Sequence, residues 1–103
     1  MAKKTYAGVT VEVTEEGYLT DMSQWNKEVA KEIATEEGIE LTDQHFKVLE
    51  FLRTRQANGD ALSIRSINKS GIIDVKTFYQ IFPGAPLKKA TKIAGIPKPA
   101  SCV

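Results

Sequence analysis

The chain has a single cysteine and a single histidine in 103 residues, and each shortage closes a class of explanation. One cysteine excludes an intramolecular disulfide, and one histidine beside it leaves too few soft ligands for a usual zinc site, so neither a metal nor another cofactor is expected. No stretch approaches the roughly 18 consecutive apolar residues of a membrane span. The opening Met1-Ala2-Lys3-Lys4-Thr5-Tyr6 lacks the apolar run of a secretory signal. These absences point to a cytoplasmic protein with no membrane partner, in a compartment that keeps the thiol reduced. Neither an internal repeat nor a low-complexity tract suggests a second globular domain.

What is present is an ordinary soluble balance, 42% hydrophobic and 26% charged, enough for one modest core. The net charge of +1 conceals an uneven distribution. Residues 1–50 hold eleven acids against five bases, and residues 51–103 hold nine bases against two acids. No side-chain acid follows Asp74, whereas Lys88, Lys89, Lys92 and Lys98 do. That arrangement attracts an acidic partner to the C-terminal half, unless the two halves neutralise each other in the fold.

Periodicity gives the fold class. Val9, Val11 and Val13 alternate with Thr10 and Glu12, the pattern of a half-buried strand, with Glu15-Glu16-Gly17 as a turn and Tyr18-Leu19-Thr20 as the returning strand. A first helix is expected from Asp21 or Ser23, with Trp25, Val29 and Ile33 on one face and Gly38 as its stop. A second follows Thr42 and carries Phe46, Leu49 and Leu52, flanked by Val48 and Phe51, as far as Asn58-Gly59-Asp60. Shorter helices are expected from Ser63 to Lys69 and from Asp74 through Phe78 to Phe82, and Pro86 opens a last one that Gly95 ends. The whole is an α+β protein, mainly α: an N-terminal hairpin on about five helices.

The cysteine, Cys102, sits at the penultimate position of Gly95-Ile96-Pro97-Lys98-Pro99-Ala100-Ser101-Cys102-Val103. Free cysteine is usually buried, yet terminal residues are usually exposed unless something ties them down. Two prolines favour an extended path of about 3.1 Å per residue, roughly 20 Å in all beyond Gly95. The expected organisation is therefore a domain over residues 1–95 and a mobile arm over 96–103 that presents Cys102. Reactivity requires the thiolate, which Lys98 and the lysines of the last helix favour and the terminal carboxylate opposes.

The ending Ala90-Thr91-Lys92-Ile93-Ala94-Gly95-Ile96-Pro97-Lys98-Pro99 with Cys102-Val103 resembles the C-terminal signature of the DsrC/TusE family. Glu16-Gly17-Tyr18-Leu19, Trp25, Leu41-Thr42 with His45, Arg65, and Tyr79 with Phe82-Pro83 are similar pieces, so the likeness spans nearly the whole chain. The resemblance implies a compact helical domain with a hairpin and an arm, and a sulfur-relay role in which Cys102 carries sulfane sulfur as a persulfide. It implies sulfur-donor and sulfur-acceptor proteins as partners, or a sulfite-reductase-type complex. Members that work with that reductase have a second cysteine eleven positions earlier, where this chain has Thr91. The single-cysteine pattern is closer to the branch that passes sulfur toward tRNA thiolation, although the chain is shorter between Ile67 and Phe78 than relatives of that branch.

Two other roles compete. The protein could be an accessory or regulatory subunit that docks on a sulfur enzyme without carrying sulfur. The helices on either side of Gly71 also resemble a helix-turn-helix, so DNA binding is a further alternative, but Lys76, Thr77, Tyr79 and Gln80 offer little polar reach and the net charge is small. Nucleic acid is not an expected partner. Arg55 and Arg65 read as solvated surface, or as groups that steady the arm or a sulfur oxyanion. His45 reads as exposed or capping, and Trp25 and Tyr79 as core or interface aromatics.

Overall fold

Ala7 and Gly8 both have positive φ, 52° and 78°, the pair of left-handed conformations that a two-residue hairpin turn requires. They join β1 (Ala2–Tyr6) to β2 (Val9–Val13) in an antiparallel ladder that sets Tyr6 opposite Val9 and Ala2 opposite Val13. The structure is a computed structural model and describes residues 2–60 and 63–96.

The hairpin is therefore built from a different partner than expected. Tyr18-Leu19-Thr20 returns against the end of β2 as an isolated bridge from Leu19 to Val13, with Thr14 N–H on the Tyr18 carbonyl and Thr20 N–H on the Glu12 carbonyl, rather than as a full strand. β1 carries no alternating apolar signal because only Tyr6 of its five residues is buried. Its lysines instead face water along a sheet edge, which discourages pairing with another chain. Val11 and Val13 are buried as the alternation requires.

Five α-helices follow: α1 (Lys27–Glu36), α2 (Asp43–Ala57), α3 (Ile64–Ser70), α4 (Val75–Ile81) and α5 (Pro86–Ile93). α1 starts later than the apolar spacing suggested. Asp21 caps only a single 3-10 turn, Met22–Gln24, and Trp25 is extended. Asn26 is the true cap, its side chain accepting from Val29 N–H at 2.9 Å. The other starts follow the sequence. Ser63 and Ser66 cap α3 reciprocally, Asp74 accepts from Thr77 N–H at 2.7 Å, and Pro86 occupies the first turn of α5.

The helices pack around Val29, Ile33, Leu49, Leu52, Ile67, Phe78, Phe82, Leu87 and Ile93, all fully buried, with Val11, Val13 and Leu19 covering one side. Ile96 belongs to this core as well, fully buried and with its N–H on the Thr91 carbonyl. Among the described residues, no helix is long and apolar enough to cross a membrane.

Candidate functional site: the root of the C-terminal segment

Cys102, the residue expected to carry the chemistry, lies outside the described residues, as do Pro97, Lys98 and Pro99. Just before those residues, the end of α5 is held by side chains from distant parts of the chain. Gly95 has φ of 69°, and a Cβ built on it would fall less than 3.0 Å from three atoms of Trp25. Only glycine satisfies both the backbone angle and the contact.

Two side chains bind the carbonyls that α5 leaves unsatisfied at its end. Trp25 donates its indole Nε1–H to the Ile93 carbonyl at 2.7 Å. Arg53, from α2, donates to the Ala94 carbonyl at 2.8 Å and to the Met22 carbonyl at 2.9 Å. Its guanidinium also lies 4.3 Å from the centre of the Trp25 ring, within the range of a cation–π contact. Partial burial lowers the pKa of Arg53, but an arginine so placed keeps its charge. The two carbonyls and the ring offset that desolvation with charge-assisted hydrogen bonds.

Trp25 drew notice in the sequence, but as a residue on the face of α1. It is instead the plate on which Gly95 rests. Arg53 drew none. Its one signal is a cation embedded among the apolar positions of α2, and its role depends on two carbonyls contributed from distant parts of the chain.

Thr91 is buried within α5, its hydroxyl donating back to the Leu87 carbonyl at 2.8 Å and the Lys88 carbonyl at 3.0 Å. The same Lys88 carbonyl accepts from Tyr18 Oη–H at 3.2 Å. Thr91 is thus a structural residue of the helix, with no redox chemistry of its own at the position where the resemblance implies a second thiol. Of the lysines expected near the thiol, Lys92 is engaged by Glu37 at 2.6 Å, a link between the acidic and basic halves. Lys88 and Lys89 line a cleft of about 270 Å³ with Glu16, Tyr18 and Glu37.

The remaining candidates sit elsewhere. His45 is buried rather than exposed, and it does cap: Nδ1 accepts from Thr42 N–H at 3.1 Å. That acceptor role assigns the proton to Nε2, which reaches the Ile81 carbonyl at 2.8 Å and ties α2 to the end of α4. Tyr79 is 45% exposed, so it is not a core residue. The helix pair across Gly71 exists, and Lys76, Tyr79 and Gln80 of α4 face solvent. Arg55 and Arg65 line a second cleft, on α2 and α3. Among the described residues, no group of three or more His, Cys, Asp or Glu side chains could hold a metal ion.

Residues 5–103 match the family model described as DsrC like protein. The chain is 37% identical over the full length of both proteins to the dissimilatory-type sulfite reductase subunit gamma of Nitratidesulfovibrio vulgaris. It is 38% identical to the sulfurtransferase TusE of Escherichia coli K12, over 95% of this chain and 97% of that one. Among solved structures, the crystal structure of dissimilatory sulfite reductase I contains a chain that superposes with a TM-score of 0.84 at 36% identity, covering 99% of this chain and all of that one. The oxidized gamma subunit from Archaeoglobus fulgidus superposes with a TM-score of 0.81 at 30% identity, over 99% and 100% of the two chains. The tight glycine, the five helices and the cysteine-bearing ending all fall inside the residues that match the family model, and the chain belongs to the DsrC-like family.

Proposed function

We propose that the protein is a cytoplasmic sulfur carrier that accepts sulfane sulfur on Cys102 and passes it to a partner protein. The observation that carries this reading is the family match, which spans residues 5–103 and so includes the cysteine. In the loading step the Cys102 thiolate attacks the outer sulfur of a donor persulfide. A new S–S bond forms at Cys102 as the donor's S–S bond breaks, and the donor leaves as a thiolate. Delivery is the same exchange with Cys102 as the leaving group: an acceptor thiolate attacks the outer sulfur of the Cys102 persulfide, a new S–S bond forms at the acceptor, and Cys102 departs as a thiolate. One cysteine suffices for both steps, and neither requires an external oxidant.

The arm root supports this role mechanically. A carrier must offer its sulfur to two proteins without releasing it to water, so a segment of roughly 20 Å needs a fixed point of departure. Trp25, Arg53 and Gly95 supply that point.

A second reading, a subunit of a sulfite-reductase-type complex, is favoured by the full-length similarity to a relative named as such a subunit. Thr91 speaks against a cycle that closes a disulfide within the chain, because Cys102 has no intramolecular thiol partner. The two readings separate on one variant. With a carrier, Cys102→Ser abolishes transfer from a persulfide donor to an acceptor protein. A docking subunit retains its partner's activity with serine at 102, and that result would reject the carrier.

A further inference from the structure

A second cleft, of about 510 Å³, opens between the C-terminal half of α2 and α3, lined by Phe51, Arg55, Ser63, Arg65, Ser66, Lys69 and Ser70. Among the described residues that line it, Arg55, Arg65 and Lys69 are cations and none carries a carboxylate. Arg65 and Lys69 are spaced i,i+4 on α3, so they repel one another along the helix face. Neither forms an ion pair among the described residues. Lys69 is at least placed where the helix dipole welcomes a cation, in the last turn. Arg65 stands in the first turn, where the dipole opposes it. Both are exposed, so nothing in the packing of the core requires a cation at either position.

The serines do not fill the place of an anion. Ser66 Oγ donates to the Ser63 carbonyl at 2.8 Å and Ser70 Oγ to the Ile67 carbonyl at 2.6 Å, so those hydroxyl protons serve α3 itself. The donors left facing the cleft are the guanidinium and the ammonium. On one wall the half-buried Phe51 ring lies 5.6 Å from the Arg55 guanidinium, giving an apolar surface beside the charges.

We propose that this cleft docks a short acidic segment of the carrier's protein partner, its carboxylates on Arg65 and Lys69 and an apolar side chain against Phe51. Guanidinium groups pair with carboxylates in a two-pronged geometry, and clusters of them are a recurrent way to read acidic motifs. A protein segment fits better than a nucleic acid. A duplex carries one charge per about 1.7 Å along its whole length, whereas the cleft offers three cations among its described lining residues, a number suited to a few carboxylates. The inference deepens the relay reading by giving the partner's chemistry. It places recognition on α3 and sulfur exchange at the arm, so the two are testable apart.

The test uses full-length protein with Cys102→Ser, so that sulfur transfer takes no part. A fluorescein-labelled Glu-Glu-Leu-Glu-Glu peptide is titrated by anisotropy, with Gln-Gln-Leu-Gln-Gln as its neutral counterpart, and the site is mapped by amide chemical shifts. The acidic peptide alone should bind, more weakly as salt rises, with shifts confined to residues 51–55 and 63–70. The pair Arg65→Glu and Lys69→Glu should weaken it about tenfold or more, while Lys76→Glu on α4 leaves it unchanged. Melting curves that coincide with the parent protein establish that the variants are folded. Three results would overturn the proposal: shifts centred on Lys88 and Lys89, undiminished binding by the double variant, or tighter binding of duplex DNA than of the peptide at equal salt. Complete displacement of the peptide by inorganic phosphate would likewise reassign the cleft to a small oxyanion.

Discussion

Arg53 and Arg65 are the same residue type on neighbouring helices, yet the molecule treats them oppositely. Arg53 is half-buried at the arm root, with two carbonyls and an indole ring around its guanidinium. Arg65 is exposed on α3 and, among the described residues, faces no acid. The contrast teaches that a cation can serve a fold or serve a partner, and that its surroundings tell which. The arm root is completed by the chain itself, whereas the cleft on α3 is complementary to something outside it.

The largest expected effect is at the arm root. Gly95→Ala forces a left-handed alanine and a collision with Trp25, and should cost about 2–4 kcal/mol, read as a large fall in melting temperature. Arg53→Ala removes two charge-assisted bonds and the cation above the indole, and should cost about 1.5–3 kcal/mol by denaturant unfolding. Trp25→Phe keeps the plate but loses the bond to Ile93, and about 1 kcal/mol is expected. A neutral Arg53→Ala would show that these contacts do not hold the end of α5.

A smaller effect separates the helix caps by pH. Hydrogen bonds from Thr77 hold the Asp74 carboxyl below its ordinary pKa of 3.8. The folded protein therefore resists protonation at this site, so its stabilising contribution is present above pH 3.8 and is lost as the pH falls through the lowered value. An asparagine side chain in the same place would cap without titrating, so Asp74→Asn should flatten the acid limb of a melting-temperature profile. An unchanged acid limb would show that this cap contributes nothing to the pH dependence.

The smallest effect completes the contrast. Arg65→Ala with Lys69→Ala should change stability by no more than about 0.5 kcal/mol, since both side chains are exposed and unpaired within the described fold. A destabilisation as large as that of Arg53→Ala would make the two arginines alike and remove the case for a partner.

Much of this architecture was legible in the residue pattern. α2 to α5 announce themselves through apolar spacing and local punctuation: Thr42, Ser63, Asp74 and Pro86 at their starts, Gly71 and Gly95 after their ends. Those signals act over a few residues, which is why they survive without tertiary information. β1 was hidden because an exposed edge strand has no apolar alternation, and because Ala7 adopts a positive φ that asparagine or glycine would have advertised. Trp25 was misplaced for a related reason. Its spacing from Val29 is helical, but the Asn26 side chain caps the helix one residue after it. The arm root needed the fold itself, since Arg53, Met22 and Ala94 meet only after α2 and α5 have packed. Cys102 was marked by its position near the end and by its resemblance to a known ending, neither of which depends on packing.

Sulfur loading of Cys102 decides whether the protein is a relay carrier, and the mass of the protein after exposure to a persulfide donor reads it. A gain of about 32 Da per sulfur is expected, located on the C-terminal peptide, removed by a thiol reductant and absent from Cys102→Ser. Equal loading of Cys102→Ser, or no loading of the parent protein by a competent donor, would contradict it.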